Sequence, residues 1–223
     1  MSIEAKKDYV VKVIGILQRA TKGMPDPAAV AIVKEYGKDP FLVLISCLLS
    51  LRARDTASLP ASKRLFKLAM TPEQFLQLPL HEIEKQIYSI GYYRSKAKLL
   101  KSVSQELIER FKGNVPSIYD ELISIKGVGP KTANLVLGEA FGKQALYVDI
   151  HVHRVSNRLG LIKTTRVEDT QRELERIVPK QYWNEYSRLL VTWGQNVCVP
   201  LSPFCSRCPL YDLCKRVGVT RQR

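Results

Sequence analysis

Acidic residues are scarce in this 223-residue chain: Asp and Glu number 21 against 35 Lys and Arg, which gives a net charge of +14 at pH 7. A surplus of that size predicts an anionic partner, of which nucleic acid is the commonest. Long hydrophobic runs are missing. The longest, residues 41–51, ends at Arg52 and is shorter than the roughly 18–20 residues that cross a bilayer. Residues 1–7 lack the apolar segment of a secretory signal, so we expect an intracellular protein without membrane contact.

The polar–apolar alternation typical of strands is almost absent, whereas helical periodicity recurs along the chain. Residues 8–19, for example, bring four apolar side chains onto one helical face. Short turns marked by Gly or Pro separate such stretches, so the sequence predicts an all-α fold of many short helices. Ser117 with Asp120 is predicted to form a capping box. The basic tail, residues 215–223, is expected to be mobile.

Cysteine is rare, but four of the five cysteines form a C-x6-C-x2-C-x5-C pattern: Cys198, Cys205, Cys208 and Cys214. Two disulfides in so short a segment are not expected in a reducing compartment, so the pattern predicts a metal centre. Zinc sites usually pair two short knuckles, and only Cys205 and Cys208 form one here. A [4Fe–4S] cluster that orders the loop is therefore favoured, with zinc as the alternative. Cys47, in an apolar stretch, is interpreted as a core residue.

The most informative segment is residues 122–137, in which two apolar helical stretches flank the sequence Gly127-Val-Gly129. Glycines at alternate positions permit a tight turn whose backbone N–H groups point outward beside a helix N-terminus. Such a turn binds phosphate without reading the bases. Together with the positive net charge, the pattern predicts a helix-hairpin-helix phosphate clamp.

A lysine and an aspartate that follow this turn are candidate catalytic residues. Pro130 suits the first helical position, so Lys131 falls in the first turn, where the helix dipole disfavours a cation by about 0.3–1 kcal/mol. This favours the neutral amine that a nucleophile needs, although phosphate contact explains the lysine equally well. Asp149, eighteen residues later, is explained more simply as a helix cap, although a carboxylate beside an amine could also stabilise charge on a sugar. His151 and His153 are interpreted as structural.

In combination, these motifs resemble endonuclease III, a family of helix-hairpin-helix DNA glycosylases. The hairpin reads GVGPKTA, the sequence VDIH contains Asp149, and the cysteine pattern follows, in the order and at the spacing of the family. The similarity runs from about residue 40 to residue 214. It implies two helical domains with a cleft between them: a helical barrel domain over about 32–144, and an iron–sulfur cluster domain formed by 1–31 with 145–223.

The resemblance also implies an activity. Family members remove damaged, oxidised pyrimidines from duplex DNA after flipping the nucleotide out of the helix, and they cleave the abasic site by β-elimination. Lys131 matches the lysine that attacks the sugar C1′ and forms a Schiff base, and Asp149 matches the carboxylate that helps the base depart. The four tail cysteines match the ligands of the [4Fe–4S] cluster. The expected partner is duplex DNA with damaged bases or abasic sites, bound by a monomer. Residues that match DNA-contacting positions are Gly127, Gly129, Arg52, Tyr92, Lys126 and Thr132.

Two of those positions depart from the family pattern. Arg52 stands where the family has a glutamine that fills the gap left by the flipped base, and Tyr92 stands where it has a leucine that inserts into the opposite strand. Arginine can hydrogen-bond an orphaned base and tyrosine can stack on it, so we expect a stronger preference for the opposite base, with guanine favoured. The loop of residues 199–204 also lacks the family's basic residues. Candidates to replace them are Arg207, Lys215 and Arg216.

Two other functions stay open at this point. One is a mismatch glycosylase for uracil or thymine opposite guanine, which the residues at Arg52 and Tyr92 make worth testing. The other is a non-catalytic DNA-binding module with a structural metal. The hairpin and the charge suit such a module equally well, but it gives no reason for Lys131 and Asp149 at this spacing.

Overall fold

The computed structural model describes residues 2–223 and has no β-strand among them, so the predicted all-α fold is confirmed. Twelve α-helices, most of them joined by short turns, make up this part of the chain. They are α1 (Ile3–Ala20), α2 (Ala28–Tyr36), α3 (Pro40–Ser50), α4 (Asp55–Phe66), α5 (Pro72–Gln77), α6 (Leu80–Ile87), α7 (Tyr93–Phe111), α8 (Tyr119–Ser124), α9 (Pro130–Glu139), α10 (Ile150–Leu159), α11 (Val167–Ile177) and α12 (Trp183–Asn196). None of these helices combines the length and the apolarity that a membrane crossing requires.

The helices form two compact units. One joins the residues up to Asp26 with Gln144–Arg223 and contains α1 and α10 to α12, and the other is the continuous segment Pro27–Lys143 with α2 to α9. The structure thus divides the described residues at 26/27 and 143/144, where the family resemblance suggested 31/32 and 144/145. Lys131 belongs to the continuous unit, and Asp149 and the four tail cysteines belong to the unit built from both chain ends.

Helix α3 is the centre of the continuous unit. Every side chain from Phe41 to Leu49 is buried, as a helix that is apolar on all faces requires. Helices α2, α4, α7 and α9 pack around it. Its N-terminus is capped by Asp39, whose Oδ1 accepts hydrogen bonds from the N–H groups of Phe41 and Leu42 at 2.9 and 3.0 Å. Helix α3 therefore supports both α7 and α9, and α9 is the helix that follows the predicted hairpin turn.

In the other unit, α12 supports both α1 and α10. The buried face of α1 is the one that its periodicity predicts, with Val10, Val13, Ile14 and Leu17. The strand-like segment that leads into α10 is held by side chains of α12. The Ala145 N–H donates to Asn184 Oδ1 at 2.8 Å, and the Tyr147 N–H donates to Ser187 Oγ at 3.2 Å. These bonds fix the backbone just before Asp149.

The predicted capping box of α8 is wrong. This helix begins at Tyr119, its cap residue is Ile118, and no side chain caps it. The carbonyl of Ser117 instead accepts a hydrogen bond from Lys143 Nζ. The backbone just before α8 is therefore held by Lys143, a residue 26 positions later in the chain. The local pattern of Ser117 and Asp120 could not indicate this contact.

Candidate functional site

The predicted hairpin is present between α8 and α9, and one of its two glycines is required by geometry. Gly127 has a φ of +82°, and a Cβ there would lie 2.8 Å from Leu99 Cδ1, so only glycine fits without strain. Gly129 has a φ of −99°, and a Cβ there would meet nothing within 4 Å. The Val128 N–H closes the turn by donating to the Ile125 carbonyl at 3.0 Å. The conformation of the turn thus requires glycine at position 127. At position 129, just before α9, the structure has room for a larger side chain.

Helix α7 braces this hairpin from the side. Glu106 Oε2 accepts a hydrogen bond from the backbone N–H of Lys126 at 3.1 Å, and Arg110 donates to Ser124 Oγ at 2.7 Å. Arg110 also pairs with Glu106, so the two contacts form one network. The side chain of Lys126 is exposed, beside a backbone that α7 holds in place.

Lys131 lies where the sequence predicts it, directly after Pro130 in the first turn of α9. Its side chain is partly exposed, and α9 packs on α3 near Cys47. Burial raises the pKa of Cys47 to about 12, and the positive charge of Lys131 acts in the opposite direction. The charge of Lys131 therefore reaches into the apolar helix α3. Thr132 is only 2% exposed, so its side chain is buried rather than presented at the surface.

Asp149 is the N-cap of α10, as the structural interpretation of this residue predicts. Its Oδ1 accepts hydrogen bonds from the N–H groups of His151 and Val152 at 2.8 and 2.9 Å. His151 Nδ1 lies 3.0 Å from an Arg154 nitrogen, and the Nδ1 atom of His153 lies 2.6 Å from a threonine hydroxyl.

The four tail cysteines line one small cavity, part of it open to solvent. Burial raises the pKa of the Cys205, Cys208 and Cys214 thiols, and the other thiols of the set raise it further. No His, Asp or Glu lines this cavity, so its donor set is sulfur alone. In the described part of the chain, no three His, Cys, Asp or Glu side chains form a group that could hold a single metal ion. Four cysteines are the usual ligand set of an iron–sulfur cluster and also occur in structural zinc sites, so the donor set fits either kind of centre.

Two arginines of α10 hold the loop that begins at Cys198, and the sequence analysis did not identify them. Arg158 is only 9% exposed and donates to the carbonyls of Val199 and Pro200 at 2.7 and 2.6 Å. It also lies 3.4 Å from Cys198 Sγ. Arg154 donates to the Cys198 carbonyl at 3.1 Å. A loop with little core of its own is therefore anchored by charge-assisted hydrogen bonds.

The tail is bound to this loop, contrary to the expectation that it is mobile. The Arg223 N–H donates to the Pro203 carbonyl at 2.8 Å, and the Arg223 carbonyl accepts from the Ser206 N–H at 2.9 Å. The guanidinium groups of Arg207 and Arg223 lie over the Phe204 ring at 4.0 and 4.1 Å. Arginines thus surround a loop whose own residues 199–204 carry no positive charge. Arg216, also named from the sequence, lies over Tyr211, and the stem of Lys215 lies beside Gly160.

Arg52 and Tyr92 share an unusual backbone conformation. Both are exposed, and their φ angles are +53° and +60°, in the left-handed region. Residues other than glycine adopt that region at a cost of about 1–3 kcal/mol, and they keep it only where the surrounding structure enforces it. Lys96, in the first turn of α7 after Tyr92, is only 8% exposed, and the sequence analysis also missed it. Burial lowers the pKa of Lys96 to about 8.

Comparison with known proteins agrees with these observations. Residues 45–180 match the family model described as HhH-GPD superfamily base excision DNA repair protein. Endonuclease III of Thermotoga maritima is 40% identical over 197 residues, which cover 86% of this chain and 92% of that protein. A solved non-covalent endonuclease III–DNA complex has a TM-score of 0.84 at 34% identity, with 94% and 95% of the two chains covered.

A second solved structure is a trapped covalent intermediate of endonuclease III with DNA. It has a TM-score of 0.78 at 34% identity, and the match covers 93% of this chain and 96% of that one. These matches extend over nearly all of this chain and include the hairpin, Lys131 and Asp149. The chain therefore belongs to the HhH-GPD superfamily of base excision DNA repair proteins and, within it, to the endonuclease III family of DNA glycosylase/lyases.

Proposed function

We propose that this protein removes damaged, oxidised pyrimidines from duplex DNA inside the cell and then cleaves the resulting abasic site, with Lys131 as the nucleophile. The observation that carries the proposal is the position of Lys131. It stands in the first turn of the helix that follows a braced hairpin of phosphate-binding type, in a chain of net charge +14. Two of its structural relatives are a non-covalent endonuclease III–DNA complex and a trapped covalent intermediate of endonuclease III with DNA, which supports the same chemistry here.

The hairpin supplies affinity without sequence preference. An α-helix leaves its first backbone N–H groups without acceptors inside the helix, and its dipole is positive at that end, so the start of α9 attracts a phosphate. Lys126 adds an exposed positive charge in the same turn. Binding of the backbone in this way lets the protein dock on any duplex, while the lesion itself is recognised after it has left the base stack.

In the reaction, the neutral amine of Lys131 attacks the sugar C1′, and the bond between C1′ and the base breaks as the new C–N bond forms. The base leaves with the electron pair of the broken bond and is protonated. Opening of the sugar ring gives a Schiff base, loss of a proton from C2′ follows, and the bond from C3′ to the phosphate oxygen then breaks by β-elimination.

Asp149 is assigned a second role besides capping α10. A carboxylate near the sugar stabilises the positive charge that develops on it as the base departs. Both of its capping bonds use Oδ1. The side chain is held by two backbone N–H groups in one fixed orientation, which suits a group that must act without rearrangement.

Cys198, Cys205, Cys208 and Cys214 are proposed as the ligands of a [4Fe–4S] cluster. All four line one cavity without His, Asp or Glu, and their spacing, in which only Cys205 and Cys208 form a short knuckle, favours a cluster over zinc. Such a cluster orders the loop, because a metal centre supplies folding energy that so small a segment cannot obtain from a core of its own. Iron and acid-labile sulfide in the purified protein, in a ratio of one to one, would support this assignment, and stoichiometric zinc would contradict it.

Borohydride trapping on a duplex with an abasic site tests the function. Reduction of a Schiff base joins enzyme and DNA covalently, so the wild type is expected to form a complex that survives denaturation, and Lys131→Gln none. Lys126→Gln is the matched control, because it removes a hairpin lysine of the same charge. It should bind more weakly but still be trapped when the protein is in excess.

The outcomes separate the alternatives. A wild type that binds duplex DNA but is never trapped would indicate a non-catalytic module. Trapping that persists in Lys131→Gln would mean that another amine is the nucleophile. Release of thymine or uracil opposite guanine, without action on oxidised pyrimidines, would indicate the mismatch glycosylase instead.

A further inference from the structure

We propose that Lys96 is a positioning residue that holds Arg52 and Tyr92 in one arrangement and so determines how the protein recognises the base opposite the lesion. The inference rests on the proposed function, in which Arg52 and Tyr92 fill the gap left by the flipped nucleotide. What it adds is a residue with no expected contact to DNA that controls both of them.

The contact to the Arg52 turn is direct. Lys96 Nζ donates hydrogen bonds to the carbonyls of Leu49 and Leu51 at 2.5 and 2.6 Å. These carbonyls end helix α3, where a cation is favourable because the helix dipole is negative there. The Leu51 carbonyl belongs to the peptide bond that joins Leu51 to Arg52. By holding this carbonyl, Lys96 fixes the orientation of the peptide plane that precedes Arg52, whose φ is +53°.

The contact to Tyr92 runs through the backbone of the same lysine. Tyr92 is the cap residue of α7, with a φ of +60°, and its carbonyl accepts a hydrogen bond from the Lys96 N–H at 3.0 Å. The side chain of Lys96 thus fixes the Arg52 turn, while its main chain belongs to the first turn after Tyr92. In the described residues, only three other non-glycine residues have a positive φ, so two strained positions meet at one lysine.

The choice of lysine needs a reason, because a buried ammonium is costly. At 8% exposure, a leucine or methionine would fill the same volume without losing hydration. Burial lowers the pKa of Lys96 to about 8, which reflects that cost. What an apolar side chain cannot do is bind two carbonyls at the end of α3, so the arrangement of the Arg52 turn accounts for the residue.

The same helix connects these residues to the hairpin. One turn beyond Lys96, Leu99 packs against Gly127, and further along Glu106 binds the Lys126 N–H. A shift at the start of α7 would therefore move Tyr92 relative to the phosphate clamp. Lys96 fixes that start against α3, which also supports α9.

The test uses the full chain and a duplex that carries a tetrahydrofuran abasic analogue opposite 2-aminopurine. No bond is cleaved, so the fluorescence of 2-aminopurine reports only how protein side chains meet the opposite base. The wild type gives the full fluorescence signal. Arg52→Ala and Tyr92→Ala show how far the signal falls when one of the two side chains is missing. We expect Lys96→Met to lose most of the signal and to bind about tenfold more weakly, a change of about 1.4 kcal/mol. The ratio of cleavage opposite G to cleavage opposite A should move towards one.

Lys101→Met is the matched control. Lys101 lies on the same helix and donates to the Leu76 carbonyl at 2.7 Å, so its loss removes a similar bond without affecting the Arg52 turn. It is expected to match the wild type in fluorescence and in the cleavage ratio. If Lys96→Met does not fold at the assay temperature, Lys96→Gln and Lys101→Gln provide the same comparison with a smaller loss.

Two results would overturn the inference: equal signals from Lys96→Met and Lys101→Met, or a fall in stability and trapping rate with no change in the cleavage ratio. The second would make Lys96 a purely structural cap of α3. Failure of the proposed function is recognised separately, because a wild type that cannot be trapped by borohydride on an abasic duplex fails before any variant is compared.

Discussion

At the residue scale, Asp149 combines a structural duty that is visible in the structure with a catalytic one that is proposed, and substitution can separate the two. Asn keeps an oxygen in place of Oδ1 and so keeps the two capping bonds, whereas Ala removes them. Loss of such a cap costs about 0.5–2 kcal/mol. We therefore expect Asp149→Asn to keep its melting temperature and its affinity for DNA but to lose base removal, and Asp149→Ala to lose stability as well.

Thermal melting and single-turnover base release on the same damaged duplex measure the two effects. If the Asn variant melts as early as the Ala variant and releases base at the wild-type rate, Asp149 acts only as a helix cap. The DNA affinity of both variants serves as the reference, because a role confined to the transition state changes the rate and not the binding.

Which residues the sequence could identify depends on where their partners lie. Lys131 is found from the sequence because Pro130 fixes the start of the helix one position earlier, so its place follows from local rules. Lys96 and Arg158 bind carbonyls about forty residues or more away, and a backbone carbonyl leaves no trace in the sequence. Buried cations that hold backbone are therefore the class of residue that pattern reading misses here.

At the element scale, the hairpin should depend on only one of its glycines. Gly127→Ala forces a side chain into the left-handed region and against Leu99 Cδ1, at a cost of about 1–2 kcal/mol from the backbone alone. We expect it to lower both stability and affinity for an intact duplex. Gly129→Ala has no such conflict, because its φ is −99° and the space around it is open, so its melting temperature should match the wild type.

Melting curves and fluorescence titrations with an undamaged duplex compare the two variants. Equal stability would mean that the turn relaxes easily. Weakened binding by Gly129→Ala at unchanged stability would show instead that this open space is occupied by the DNA backbone, which makes the variant informative in either case.

The elements themselves were predicted better than their ends. Amphipathic faces such as that of α1 follow from the spacing of apolar residues, and the buried α3 follows from an apolar run that is too short for a membrane. The entry into α8 was predicted wrongly, and the tail, which we expected to be mobile, is hydrogen-bonded to Pro203 and Ser206. Both are decided by contacts between distant parts of the chain, Ser117 with Lys143 and Pro203 with Arg223, which local propensity does not contain.

At the scale of the whole molecule, the charge of +14 makes binding to undamaged duplex strongly salt-dependent. Each phosphate that the protein neutralises contributes about −0.9 to the slope of log K against log salt concentration. Lys126→Gln should reduce the steepness of that slope by about one. Lys7→Gln, which alters an exposed lysine of α1 already paired with Glu4, should leave the slope unchanged.

Titrations at several salt concentrations, with the cluster content kept constant, measure these slopes. A flat dependence for the wild type would contradict a phosphate clamp. An equal change in both variants would mean that the net charge governs binding and that the hairpin contributes no particular phosphate contact.

The division of the chain has a consequence for its biosynthesis. The unit Pro27–Lys143 is continuous, so it can acquire its structure as soon as its last residue has left the ribosome. Helix α1 emerges before this unit, yet its apolar face packs on α11 and α12, which emerge after it. During translation, the apolar face of α1 therefore stays without its packing partners until more than a hundred further residues have been added.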